Sequence, residues 1–211
     1  MENPLSRLLY TYPELSVCSQ DILQGFDLLK SVYKQKGILL VCGNGGSAAD
    51  SEHIVGELMK GYLKKRPISQ IFQQKLLNTY PEEGDYLASH LQGALPAISL
   101  VSQTALNTAY INDVAADMVF AQQTAGYGKA GDCLLGLSTS GRARNVINAM
   151  MVAKVLGIHT IGLTGRNGGS MLEICSVTIR VPWDETPMIQ ERHLPIIHTL
   201  CAMLEDEFFA V

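Results

Sequence analysis

Gly37-Ile38-Leu39-Leu40-Val41-Cys42-Gly43-Asn44-Gly45-Gly46-Ser47-Ala48 is the stretch that decides the fold class. Residues 38–42 are apolar at consecutive positions, as a strand covered on both faces requires, and the glycines that follow turn the chain into a helical pattern. Strand, glycine turn and helix in that order open a parallel α/β unit. Further runs of this kind occupy residues 95–101, 132–137, 158–163 and 176–181, with helical patterns between most of them. The expected architecture is a doubly wound, five-stranded parallel sheet flanked by helices.

Working outward, Ile22, Phe26, Leu29 and Tyr33 fall on one face of a single long N-terminal helix beginning near Pro13. Residues 1–36 therefore read as an extra helical segment ahead of an α/β core spanning 37–211, all within one domain. Residues 142–156 read as a crossover helix ending at Gly157, a residue suited to the left-handed turn past a helix end. The last helix runs from about residue 187 to 208, with Thr186 as its N-cap and Pro187 at its first position. Residues 64–95 resist this scheme. Lys64-Lys65-Arg66-Pro67 and Tyr80-Pro81-Glu82-Glu83-Gly84-Asp85, with patchy helical signal between, predict an excursion covering one sheet edge in the manner of a lid.

Composition narrows the function classes. With 211 residues, 47% of them apolar, the chain can bury roughly 70% of its unfolded surface without disulfides. Five cysteines, odd in number and never spaced CxxC, read as reduced thiols of a cytoplasmic protein, and neither a disulfide framework nor a zinc ribbon is expected. A net charge of −4 and the absence of a long basic stripe disfavour nucleic acid, and no apolar run is long enough to span a membrane.

In an open parallel sheet the ligand lies beyond the carboxyl ends of the strands. Two loops there are rich in glycine and hydroxyl: Gly43-Asn44-Gly45-Gly46-Ser47-Ala48 and Ser138-Thr139-Ser140-Gly141. Backbone N–H groups, hydroxyls and the positive end of each following helix suit a phosphate. Gly43-x-Gly45-x-x-Ala48 also matches a loose dinucleotide fingerprint, but no second strand ending in an acidic residue follows, and a nucleotide cofactor is not expected. Either loop alone is read equally well as a tight turn. His53 and Glu57, four apart, share a helix face, a spacing common in surface pairs. His198 lies in an apolar stretch of the last helix, where a buried histidine bonded to a carbonyl is the simpler reading.

Gly43-Asn44-Gly45-Gly46-Ser47-Ala48 with His53 and Glu57, then Ser138-Thr139-Ser140-Gly141, then Gln190-Glu191-x-His193 with His198, resembles the sugar isomerase (SIS) domain of the phosphoheptose isomerase family. The likeness runs from about Gly37 to Phe209. It implies a flavodoxin-like sheet and an aldose-ketose isomerisation, sedoheptulose 7-phosphate to D-glycero-D-manno-heptose 7-phosphate, through an enediol. It implies that Ser138, Thr139 and Ser140 bind the phosphate and that Asn44, Gly45, Gly46, Ser47 and Gln190 surround the sugar. Asp113 would contact substrate or a neighbouring chain. Glu57 would be the base and His198 the partner acid. Some relatives hold zinc, which here implies one ion per site at His53, Glu57, Gln190 and His198, a donor set zinc accepts. The resemblance further implies a homotetramer with active sites at subunit contacts.

Several residues depart from the family pattern. Arg142-Ala143-Arg144 stands where many relatives place a further serine, Lys60-Gly61 stands where Gly-Arg is common, and Pro195 interrupts the last helix, where it should bend it or remove a backbone bond. A second class of function uses the same fold: a phosphosugar sensor or regulatory module without turnover. A sensor needs the phosphate loop but has no use for Glu57 and His198, so their presence favours the enzyme.

Overall fold

The computed structural model describes residues 3–209 and contains one five-stranded sheet, all parallel, in the order β2-β1-β3-β4-β5. The strands are β1 (Leu39–Gly43), β2 (Ala97–Ser99), β3 (Cys133–Leu137), β4 (His159–Thr164) and β5 (Val177–Arg180). Every residue of β1 and β3 is buried, which is why these central strands read as unbroken apolar runs. Their side chains alternate between two cores. Leu39, Val41, Leu135 and Leu163 face α1 (Pro4–Thr11), α2 (Ser19–Lys34), α3 (Gly46–Met59) and α10 (Thr186–Phe208). Leu40, Cys42 and Leu134 face α6 (Thr104–Asp113), α7 (Val119–Tyr127), α8 (Arg144–Val155) and α9 (Met171–Ile174). A side chain at Gly136 would run into Val146 and Met150, so this glycine lets α8 press onto β3.

Three expectations are corrected. The N-terminal segment is two α-helices, not one. Tyr12, at φ −128° and ψ 72°, leaves the helical region before Pro13, as a residue preceding proline tends to, and Pro13–Cys18 forms a 3-10 turn before α2. Thr186 is the first residue of α10, and its N-cap is Glu185, without a side-chain cap bond. Residues 64–95 fold into a hairpin of α4 (Gln70–Thr79) and α5 (Gly84–His90), closed at its base by the Pro67–Gln92 bridge and a bond from Gly93 N–H to the Arg66 carbonyl. Because α4 buries none of its residues, the hairpin projects from the body and does not cover the sheet edge. Pro195 leaves α10 continuous, and its carbonyl accepts the Thr199 hydroxyl at 2.8 Å. The left-handed turn expected at Gly157 is present, at φ +72°. All five cysteines are free, and burial pushes each thiol up, which keeps them protonated.

His193 on α10 is fully buried, and neither ring nitrogen has a hydrogen-bond partner among the described residues. Burial lowers its pKa from 6.5 to about 4. A histidine held neutral in the fold but free to charge when unfolded supports stability above pH 6.5 and loses that support as pH falls toward 4. The difference amounts to about 3 kcal/mol. Denaturant titrations at pH 7 and pH 4.5 should show this loss, and His193→Leu, which removes both unpartnered nitrogens, should shrink it. An equal acid loss in both proteins would refute the assignment.

Candidate functional site

The two hydroxyl loops begin side by side, because Gly43 of β1 pairs with Leu137 of β3. The strand order reverses here, and the crevice so formed is where open parallel sheets bind ligands. After β1, Gly45 takes a left-handed φ of +57° and caps α3. Ser47 is buried and donates its N–H to the Asn44 carbonyl at 3.0 Å. The Asn44 side chain exchanges two 2.9 Å hydrogen bonds with that of Asn145, which ties this loop to the start of α8. Asn145 escaped the sequence reading; its only signal is its place one turn beyond the second loop.

In that second loop the Ser138 hydroxyl accepts the Ala143 N–H at 3.3 Å, and the Ser140 hydroxyl accepts the Arg142 N–H at 3.2 Å. Each keeps its own hydrogen free to donate, as a phosphate oxygen requires. The Thr139 carbonyl accepts the Gly165 N–H at 3.0 Å. Gly141, Gly168 and Gly169 all have left-handed φ angles, and a side chain at Gly169 would strike the carbonyls of Ser140 and Gly141. The loops after β3 and β4 therefore lie backbone on backbone. They wall a cavity of about 190 Å³ whose lining includes Thr139, Ser140, Arg142, Arg166 and Asp184.

A second cluster lies where α3 and α10 run alongside each other. Gln190 reaches Gly46, where a Cβ would sit 2.7 Å from its amide nitrogen. Seven residues further along α3, His53 meets His198 of α10, with Nε2 atoms 3.2 Å apart. His53 Nε2 is also 3.4 Å from Glu57 Oε1, and Lys60 Nζ is 3.4 Å from Glu57 Oε2. The Tyr62 ring lies 5.6 Å from that of His198. Partial burial, and then His53, lower the pKa of His198, while Glu57 pulls it partly back, so the imidazole is neutral near pH 7. His198 lines a larger cavity of about 490 Å³, walled by α1, α10 and the loop after α3, with Arg7, Tyr62 and Lys64 among its lining.

This cluster is held from beneath. Arg66 is buried, and its guanidinium donates to the carbonyls of Leu58 and Glu57 at the end of α3, at 2.8 and 3.1 Å, and to Glu205 Oε1 at 2.7 Å. Glu205, buried on α10, also accepts the N–H groups of Tyr62, Leu63 and Lys64. Burial alone would raise its carboxyl, but the N–H groups of Tyr62 and Leu63, with Arg66, outweigh that and hold it below the usual range.

The donor set suits zinc in type. In a tetrahedral site with legs of about 2.05 Å, ligand atoms stand roughly 3.3 Å apart. The two edges meeting at His53 Nε2 measure 3.2 and 3.4 Å. Gln190 is placed at Gly46, away from this corner, and among the described residues no three His, Cys, Asp or Glu side chains close around a common point. The match is thus of ligand type and two edges.

Of the residues singled out in the sequence, His53 touches both Glu57 and His198, and Thr139 and Ser140 share one cavity wall, with Ser138 beside them in the chain but not in that lining. Asp113 is exposed at the end of α6, accepts a 2.8 Å bond from Asn112 and lines neither cavity. Within one chain the two groups open onto separate cavities: Thr139 and Ser140 onto the smaller, His198 onto the larger. Arg166 and Asp184 were not foreseen, because they lie on loops that only the sheet order brings beside Ser140.

A SIS domain family model matches residues 84–165. The chain is 36% identical over 192 residues to the phosphoheptose isomerase of Rhodospirillum rubrum, covering 91% of this chain and 88% of that one. With the phosphoheptose isomerase of Akkermansia muciniphila it shares 34% identity over 209 residues, covering 99% and 97%. Among solved structures, phosphoheptose isomerase GmhA from Neisseria gonorrhoeae matches with a TM-score of 0.71 at 30% identity, covering 95% of this chain and 98% of that one.

Proposed function

The chain belongs to the phosphoheptose isomerase family and is an isomerase, and from that premise we propose how its residues divide the work. The reaction is the conversion of sedoheptulose 7-phosphate to D-glycero-D-manno-heptose 7-phosphate. The observation that carries this reading is the run of contacts from the Glu57 carboxylate to the His53 imidazole and from there to that of His198. Moving the carbonyl from the second carbon to the first requires removal of a proton from the first carbon, an enediol, and return of a proton to the second. Glu57 takes and returns that proton. With no ion held, His198 is neutral near pH 7 and moves the hydroxyl proton from the first oxygen to the second. No atoms or electrons are gained or lost. Ser138, Thr139 and Ser140 hold the phosphate, far from the reacting carbons, where its binding energy orients the open-chain sugar.

The separate cavities support sites completed between copies of the chain in a homotetramer, with Asp113 facing substrate or a neighbour. His53, Glu57 and His198 are the residues that would hold zinc, with Gln190 recruited to them. When bound, the ion would polarise the sugar oxygens as a Lewis acid. Glu57 Oε1 faces His53 and Oε2 faces the Lys60 ammonium, so the carboxylate must leave one of these neighbours to take the proton. No helix among the described residues is long and apolar enough to cross a membrane, and the five free thiols support a cytoplasmic enzyme.

The test is incubation with a panel of sugar 7-, 6- and 5-phosphates. Conversion of sedoheptulose 7-phosphate is expected, and phosphosugar binding without any isomerisation would favour a sensor instead. Metal content near one zinc per site, in protein purified without chelator, and a melting point lowered by chelator are the expected marks of the metal. A stable monomer at micromolar concentration would contradict the shared site.

A further inference from the structure

The cavity beside Ser140 contains a cation that none of the roles above uses. Arg142 lines it, is exposed, and has no side-chain hydrogen-bond or ion-pair partner among the described residues. Its backbone is fixed: Arg142 N–H donates to the Ser140 hydroxyl, and Gly141 just before it is locked against Gly168 in the left-handed conformation. The other guanidinium in the cavity is already engaged. Arg166 Nε bonds Asp184 Oδ2 at 3.0 Å, and its terminal nitrogen bonds the Pro182 carbonyl. Asn167 donates to the other oxygen of Asp184 at 3.3 Å, so that carboxylate is neutralised by one partner and oriented by a second. With Arg166 and Asp184 cancelling, Arg142 leaves the cavity one net positive charge. Ala143, which follows, carries no hydroxyl.

We propose that Arg142 is a specificity-determining residue for the substrate's anionic end, a guanidinium that pairs with the dianionic phosphate held by Thr139 and Ser140. Two of its N–H groups can bond two phosphate oxygens at once, which a hydroxyl cannot do. The consequence is selection of phosphorylated sugars, and of the phosphate dianion over the monoanion, through binding and not through the proton-transfer step. This inference rests on the phosphate-binding reading of the Ser138–Ser140 loop.

The test compares wild type with Arg142→Ala and Arg142→Lys, using sedoheptulose 7-phosphate as substrate and inorganic phosphate as a competitive inhibitor. Arg142 is exposed, so its variants fold. For Arg142→Ala, KM and the inhibition constant for phosphate should both rise, roughly 10- to 100-fold for a lost charge-assisted pair, with kcat falling far less. Arg142→Lys, which keeps the charge without the fork, should recover part of that loss. If wild type turns over substrate and is inhibited by phosphate while both constants are unchanged in Arg142→Ala, the role of Arg142 is wrong and the loop reading stands. If wild type is neither inhibited nor protected against heat by phosphate, the loop reading itself fails. A kcat loss with KM unchanged would also overturn the proposal, because it would place Arg142 in the chemical step.

Discussion

Glu57→Gln lowers kcat by roughly 10²- to 10⁴-fold, the range for loss of a positioned general base. The substitution keeps the side chain's size and its place on α3, and it leaves the buttress intact, because Arg66 bonds the Glu57 carbonyl and not its carboxylate. Melting temperature compared with chelator present in both samples should therefore change little. Steady-state kinetics with sedoheptulose 7-phosphate, alongside a thermal melt, separates chemistry from folding. Turnover within about threefold of wild type would remove Glu57 from the role of base, since that is well below what a general base contributes.

Glu205→Ala destabilises the fold by about 3–5 kcal/mol, the usual effect of removing one partner of a buried ion pair. The loss is large because Glu205 serves four donors: three successive backbone N–H groups after α3 and the Arg66 guanidinium. Removing it leaves a buried cation and those N–H groups unpaired. Against a total stability of about 5–15 kcal/mol, this brings the protein close to unfolding. The carboxyl lies below its ordinary range in the fold, so its contribution is complete above the unfolded pKa and disappears as pH drops through the depressed value. Acid should therefore weaken the wild type through Glu205 as well as His193. Urea titration at pH 7 measures the variant, and a loss under about 1 kcal/mol, the level of a surface pair, would show that the pair is not the clamp described here.

How much of this was legible in the chain depends on the range of the interactions involved. The five strands were legible because burial on both faces forces consecutive apolar residues, as in Leu39–Gly43 and Cys133–Leu137. Pro13 was read as the start of the N-terminal helix, and what stayed unread is α1 ahead of it and the 3-10 turn over Pro13–Cys18 before α2. The excursion over residues 64–95 was legible, but not its direction: Ile71, Phe72, Leu77 and Tyr86 of the α4–α5 hairpin stay exposed, so no cover over the sheet edge forms. At the site, the pairing of His53 with Glu57 follows from helical spacing. That of His53 with His198 spans 145 positions and depends on α3 and α10 running side by side. Arg66 looked like part of a basic surface run, yet it is buried, because its partner Glu205 lies far away in sequence. Arg166 and Asp184 carried no signal of their own, since only the β3-β4-β5 order places their loops beside Ser140.

The central claim is that this chain moves a carbon-bound proton on a seven-carbon ketose phosphate. The most direct measurement is NMR of sedoheptulose 7-phosphate incubated in D₂O with wild type and with Glu57→Gln. We expect wild type to form the aldose 7-phosphate with deuterium at its second carbon, and Glu57→Gln to form almost none while remaining folded. Folded wild-type protein that binds the sugar phosphate yet leaves it unconverted, with no deuterium at either carbon, would contradict the account.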